Sequence, residues 1–399
     1  MTATKTDTVT DETTLIDEAV AAARAATTEG MTEAQKYGVL YDHGLAWVDF
    51  PVGAGGLGVS RSLRDHAAEA VAAAGLEAPA RGRNTIGFGM AAPTIVTYGT
   101  EDQKKVLRDI YTLRTIFCQL FSEPGAGSDL AAVATRAVDE GDHFLVNGQK
   151  VWTSSAHNAD MAILVARTDP SVPKHKGLSY FLLDMHADGV ETRGLRQITG
   201  EAEFNEVFLT DVKVPKENLL GELGQGWQVA NTTLNNERVS IGAGAPREGG
   251  FMGVVADAWR KNPEYRDPAL HAELLRLWVE TEVARMTNER LAQRLAAGQP
   301  GPEGAGAKLS FARNNQELSL VDMKMRGADG LRYDVYEFRR PSEYSMTGRQ
   351  AGYRYLRANG NSIEGGTSEI IRNIISERVL GLPGEHRVDK DVAFKDLPK

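Results

Sequence analysis

The 399-residue chain contains a single cysteine, Cys118. One thiol cannot close an internal disulfide, which excludes a stapled secreted fold and suits a reducing, cytoplasmic setting. Long apolar runs are missing too: none reaches the roughly eighteen residues a bilayer-spanning helix needs. No membrane span is expected. The 45 Lys and Arg are outnumbered by 54 Asp and Glu and are scattered singly or in pairs. Without a basic stripe to neutralise a phosphate backbone, nucleic-acid binding is not expected. Met1 to Thr14 lacks the basic start and apolar core of an export signal and reads as a disordered tail, residues 1–14. Histidines and acidic pairs show no metal-ligand spacing, and there is no Walker loop and no Gly-x-Ser-x-Gly elbow. Metal and serine-nucleophile chemistry therefore find no support.

What is present is a 42% hydrophobic chain, longer than the roughly 250–300 residues at which a single core stops growing. Residues 15–116 carry Ala-rich amphipathic runs, Ala19 to Ala26 and His66 to Ala74, separated by Gly-rich breaks such as Gly53–Gly58; this predicts an N-terminal helical domain. In residues 117–225 short alternating or apolar runs take over: Phe144–Val146, Lys150–Trp152, Met161–Ala166, Tyr180–Leu183 and Glu206–Val214. Asn147-Gly148 lies between two of them, and both residues tolerate positive φ, so a hairpin is expected there within a middle β domain. Helical periodicity returns in residues 226–399, over Trp227–Ala245, Leu270–Ala297, Ala307–Arg326 and Ser368–Leu380, with Gly298–Gly306 as a connection. The last of these has Thr367 or Ser368 as N-cap and Gly381 and Pro383 as its stop.

Four segments could carry chemistry. Ser122-Glu-Pro-Gly-Ala-Gly-Ser128-Asp129 combines a Pro with small residues, a backbone that a ligand can approach closely, although Gly/Ser-rich stretches are more often plain turns. Lys150-Val-Trp152-Thr153-Ser154 sets an indole beside two hydroxyls; the ring could stack on a flat heterocycle while a hydroxyl meets a ring nitrogen, although a strand Trp is usually core. At about 100° per residue, Trp227, Ala230, Leu234, Glu237 and Ile241 form one stripe. A carboxylate among apolar neighbours has its pKa raised, which a general base needs, unless an ion pair with Arg238 or a neighbouring helix accounts for it. Finally, Ile363-Glu364-Gly365-Gly366-Thr367-Ser368-Glu369-Ile370 opens a helix with two glycines, so that a ligand could touch the backbone and the first-turn N–H groups.

In this order and spacing, from about Gly44 to Pro383, the segments resemble the acyl-CoA dehydrogenase family, as does the stretch Gly194–Gly226. The resemblance implies an α+β multi-domain fold: an all-α N-terminal domain, a β-barrel-like middle domain and a four-helix C-terminal bundle. It also implies FAD as cofactor, with Gln119, Leu120, Phe121, Ser122, Trp152, Thr153, Ser154, Thr367 and Glu369 as its contacts. Ser128, Arg238 and Gly366 would face the substrate. Many members carry the catalytic Glu immediately before a Gly-Thr pair, where this chain has Gly365. A minority, resembling the isovaleryl and long-chain enzymes, place the base before the Arg of the helix opening the C-terminal domain, which is Glu237-Arg238 here. Glu237 is thus the implied base and the Gly365 N–H the implied donor to the thioester carbonyl. The implied reaction is α,β-dehydrogenation of an acyl-CoA to a trans-2-enoyl-CoA, with an electron-transfer flavoprotein as acceptor.

Two stretches depart from the family. The Arg-x-x-Phe-Gly segment that reaches a neighbouring subunit's FAD is replaced by Trp259-Arg-Lys-Asn-Pro-Glu-Tyr-Arg-Asp267, and the Gln-x-x-Gly-Gly segment by Lys324-Met-Arg-Gly-Ala328. A homodimer or homotetramer and a heterotetramer with a related subunit, as in steroid side-chain dehydrogenases, both remain open. So does a flavin oxidase or monooxygenase on the same fold.

Overall fold

The computed structural model describes residues 5–242, 247–296, 304–333, 335–341 and 348–398, with side chains at 11–236, 248–294, 304–333, 335–341 and 348–398. Helices open the chain: α1 Lys5–Ala26, α2 Glu33–Asp42, α3 Arg64–Ala73, α4 Ala92–Tyr98, α5 Glu101–Lys104 and α6 Val106–Tyr111. Helix α1 starts about ten residues earlier than a disordered 1–14 tail would allow. The reason is anchorage: Ile16, Val20 and Ala23 are buried in the core, and Glu12 accepts the backbone N–H of Ser60 at 3.2 Å. The Thr-rich stretch therefore continues a helix that is already fixed downstream.

Seven strands follow: β1 Phe117–Leu120, β2 Arg136–Asp139, β3 His143–Ser154, β4 Met161–Arg167, β5 Leu178–Asp184, β6 Val190–Gly194 and β7 Phe204–Pro215. They form one sheet in the order β1-β4-β2-β3-β7-β6, with β5 paired to β4. β1 runs parallel to β4, whereas β5, β3/β7 and β6/β7 pair antiparallel. The unbroken apolar runs of β4 and β5 reflect burial on both faces. Ile163, Val165, Tyr180 and Leu182 join the core shared with the N-terminal helices, and Ala162, Leu164, Phe181 and Leu183 fill the core inside the sheet.

The expected hairpin at Asn147-Gly148 is absent. β3 is one continuous strand paired to β7, with a register shift between Val146 and Gly148. Asn147 and Asp211 bridge the two strands, Asn147 Nδ2 donating to Asp211 Oδ1 at 3.0 Å and Asp211 N to Asn147 Oδ1 at 2.9 Å. Gly148 is needed for proximity: a Cβ there would lie 2.3 Å from Thr135 Oγ1. A glycine in a strand marks a bulge or a close approach as readily as a turn.

The remaining elements are α7 Gly226–Gly242, α8 Phe251–Lys261, α9 Pro268–Ala296, α10 Gly304–Arg326, α11 Ala351–Ala358 and α12 Ser368–Ile374, which passes into a π-turn at Ile375–Val379. Met252, Val255, Leu274, Leu277, Leu318 and Val321 form the core between α8, α9 and α10. A buried chain of hydroxyls joins the helical and β regions: Thr233 Oγ1 lies 2.9 Å from both Thr94 Oγ1 and Tyr180 OH. Asn84 makes a second joint, accepting from Phe117 N at 3.0 Å and donating to Thr115 O at 3.0 Å.

Candidate active site

Where the N-terminal helices, the sheet and the C-terminal helices meet, they leave a cavity of about 3300 Å³. One wall is the exit of β1. Glu123 and Ala126 exchange two backbone hydrogen bonds of 3.0 Å, with Pro124-Gly125 between them, the residues that a tight turn favours. The turn sets Ser122, Gly127 and Ser128 on the cavity wall.

A buried charge holds this loop. Lys150 has no solvent exposure, and its ammonium donates to Phe121 O at 3.0 Å, Val165 O at 2.8 Å and Glu123 Oε1 at 2.8 Å. Glu123 also accepts from Ala134 N at 2.7 Å and Thr135 N at 2.8 Å. Burial pushes the Glu123 carboxyl up, but Lys150 and these N–H donors outweigh it and leave it below the usual carboxylate range.

The adjacent wall is a bulge in β3. Pairing with β7 shifts register between Lys150 and Thr153, and Trp152 sits at φ +60, a conformation rare for a non-glycine residue and concentrated at functional sites. The bulge lets Lys150 and Thr153 both point inward while Trp152 turns out, 60% exposed, with its ring edge-to-face with Phe204 at 5.9 Å. Ser154 lies on the wall beside it.

Helix α7 faces the cavity with Trp227, Asn231, Leu234 and Asn235, a spacing of one helical face. Glu237 belongs to α7, at the next turn after Leu234. The side chains of Glu237 and Arg238 lie outside the described residues.

Opposite α7 is the glycine loop. Gly365 and Gly366 have φ +63 and +96, a region that glycine enters at no steric cost. Both line the cavity, as does Thr367, whose hydroxyl caps α12 by accepting Ile370 N at 3.2 Å. None of the described hydrogen bonds uses the Gly365 N–H. Glu364 also lines the cavity and is held in place there: Arg357 donates to its two oxygens at 3.2 and 2.8 Å, and Asn361 donates at 2.5 Å. Arg357 also reaches Glu203 at 3.2 Å, whose carboxyl is pushed up by burial against the pull of Arg357.

Of the residues expected to contact cofactor or substrate, Gln119, Phe121, Ser122, Ser128, Trp152, Ser154, Gly365, Gly366 and Thr367 converge on this one cavity. Three stand apart from its wall. Leu120 packs inside the sheet core, because alternation along β1 sends it to the opposite face from Gln119. Thr153 is buried on the far side of the bulge. Glu369 is exposed and pairs with Arg372 at 3.5 Å. Sequence reasoning missed Lys308, Arg357 and Asn361. Lys308 was findable by the stripe logic applied to Glu237, since Ala305 and Ala312, three before and four after it, are buried on the same helix face. Arg357 and Asn361 lie in a stretch with no such signal.

Family models match two parts of the chain: the acyl-CoA dehydrogenase middle domain over residues 118–212 and the acyl-CoA dehydrogenase C-terminal domain over residues 224–380. Acyl-CoA dehydrogenase IpdE1 of Mycobacterium tuberculosis is 37% identical, the match covering 86% of each chain. Acyl-CoA dehydrogenase FadE34 of the same organism is also 37% identical over 91% of this chain, which spans 48% of that longer protein. Among solved structures, the Tcur3481-Tcur3483 steroid ACAD superposes with a TM-score of 0.72 at 27% identity, covering 93% of this chain and 94% of its own. The ChsE4-ChsE5 complex from Mycobacterium tuberculosis gives 0.71 at 28% identity, covering 96% and 100%. The chain belongs to the acyl-CoA dehydrogenase family, a family of flavoproteins.

Proposed function

We propose that this chain is a cytoplasmic, FAD-dependent acyl-CoA dehydrogenase that converts an acyl-CoA to its trans-2-enoyl-CoA, with Glu237 as the base. The observation that carries the reading is the pairing of a Gly365 N–H that none of the described hydrogen bonds uses, on one cavity wall, with a Glu364 carboxylate immobilised by Arg357 and Asn361. The loop offers a donor to a carbonyl while its own carboxylate is already engaged by Arg357 and Asn361, which supports a base on the α7 wall. The cavity fits a flavin: an exposed indole on a strained bulge offers a planar face, and Ser122, Ser154 and Gln119 offer hydrogen bonds around it. When bound, FAD would supply the hydride acceptor for the β hydrogen and pass the electron pair to an electron-transfer flavoprotein.

The protein's own part follows. Gly365 N–H donates to the thioester oxygen and favours negative charge there as the α carbon loses its proton, the kind of donor whose removal costs about 10²–10³ in rate. The Glu237 carboxylate receives that proton, a contribution of about 10²–10⁴. Ser128, on the turn after Pro124, lines the substrate side of the cavity, and Arg238 is assigned to the same side. Anaerobic titration of the yellow protein with short, branched, long and steroid acyl-CoAs tests this reading. At least one should bleach the flavin band stoichiometrically, and failure of every thioester to do so would refute it.

A second reading concerns assembly. Where the family reaches a neighbouring subunit's FAD, this chain spends its side chains on itself. Arg266 donates to Arg260 O at 2.7 Å, Lys324 pairs with Glu273 at 3.2 Å, and Arg326 pairs with Asp322 at 2.8 Å. This favours a heterotetramer with a related subunit over a homo-oligomer.

A further inference from the structure

We propose that Lys308 is a positioning residue for the carbonyl-binding loop: its ammonium sets the orientation of the peptide that presents the Gly365 N–H. The inference rests on the reading of Gly365 as the donor to the thioester.

Lys308 lies in α10 and is 2% exposed. Burying an ammonium is costly unless acceptors compensate, and α10 could have placed an aliphatic residue between the buried Ala305 and Ala312. Here the acceptors are two backbone carbonyls of the glycine loop, Asn361 O at 2.7 Å and Gly366 O at 2.6 Å. They bracket Ser362 to Gly365. One cation therefore clamps both ends of the segment that carries both the immobilised Glu364 and the Gly365 N–H. The clamp is needed because Gly365 and Gly366 are both left-handed, and paired glycines have wide conformational freedom.

The same face of α10 completes the grip. Asn315 donates to Asn361 Oδ1 at 3.1 Å, and Gln316 donates to Ser362 Oγ at 2.6 Å. These two lie seven and eight residues beyond Lys308, the helical repeat of one face. Lys308 and Asn315 both also line the cavity, and Lys308 is the one that holds main-chain carbonyls at both ends of the loop, so it couples the rigid helix to the loop at the site itself.

The test compares the full-length flavoprotein with its Lys308→Met and Lys308→Arg variants. Each would be bound to a chromophoric aryl-enoyl-CoA, whose absorbance shifts to the red when its carbonyl is polarised. Lys308→Met should keep its flavin and bind the analogue. It should lose most of the red shift and reduce flavin about 10²–10³-fold more slowly at saturating acyl-CoA, the cost of losing an oriented carbonyl donor. Lys308→Arg should recover part of both. A folded Lys308→Met with an undiminished red shift overturns the proposal, whatever its rate. If Lys308→Met does not fold, Lys308→Arg decides alone: a reduced shift supports the role and an unchanged one overturns it. A wild-type protein that neither shifts the analogue nor bleaches with any acyl-CoA refutes the functional reading instead, so the two failures are distinguishable.

Discussion

Lys150 shows what one residue can fix. Its three acceptors are two main-chain carbonyls and Glu123, so a single side chain sets the loop carrying Phe121 and Ser122 against β4. Removing one member of a buried pair leaves the other charge without its partner, at a cost of about 3–5 kcal/mol. Lys150→Met should lower the unfolding free energy by that amount, as followed by urea denaturation, and should loosen flavin retention. An unchanged midpoint would show that the pair is dispensable. The sequence pointed to Trp152 and Ser154 through residue type alone. It could not place Thr153, because a bulge reverses the alternation on which face assignment depends.

At the scale of elements, periodicity predicted the existence of the long pieces. α9, α10, β4 and β7 lie where the sequence pattern puts them, to within a few residues. Where meaning depended on a partner strand or helix, local chemistry misled. Asn147-Gly148 has turn composition, yet it bridges β3 to β7 and lets β2 approach, a contact more than ten residues away in sequence. The two explanations of Gly148 make opposite predictions. A turn glycine would tolerate Asn, whereas a close-approach glycine would tolerate neither Asn nor Ala. We expect Gly148→Ala and Gly148→Asn each to destabilise by about 1–3 kcal/mol, the usual cost of overpacking. Equal stability of Gly148→Asn and wild type in thermal melts would restore the turn. Short or irregular elements such as β1, β2, β6 and α11 carried too few residues for a periodic signal.

For the whole molecule, the active cavity exists only because three regions are held in register by joints that no local window reveals. Tyr180, Thr94 and Thr233 come from the sheet, α4 and α7. His175, in the connection between β4 and β5, lies edge-on to Trp227 of α7 at 4.8 Å. Burial, then Arg387 and Lys174, push its pKa down; burial and Arg340 do the same at His157. Both groups have folded values below the roughly 6.5 of a free imidazole. Between those limits the unfolded chain binds more protons, so their contribution to stability is complete above about pH 6.5 and fades as the pH falls through the folded values. The double variant His157→Asn/His175→Asn should flatten the dependence of the urea midpoint on pH between about 7 and 5. A slope identical to wild type would exclude this role. Assembly belongs to the same scale: co-expression with a related subunit should raise the flavin content per chain and give a mixed tetramer by native mass spectrometry. Full flavin occupancy in a pure homo-oligomer would contradict the heteromeric reading.

The central claim is that an acid on α7, and not the one preceding the glycine loop, takes the α proton. Rapid mixing of acyl-CoA with wild type, Glu237→Gln and Glu364→Gln under anaerobic conditions measures this directly through the flavin absorbance. The account predicts that Glu237→Gln binds substrate but reduces flavin about 10²–10⁴-fold more slowly, while Glu364→Gln stays within about tenfold of wild type. Normal bleaching by Glu237→Gln, or its loss only in Glu364→Gln, would contradict it.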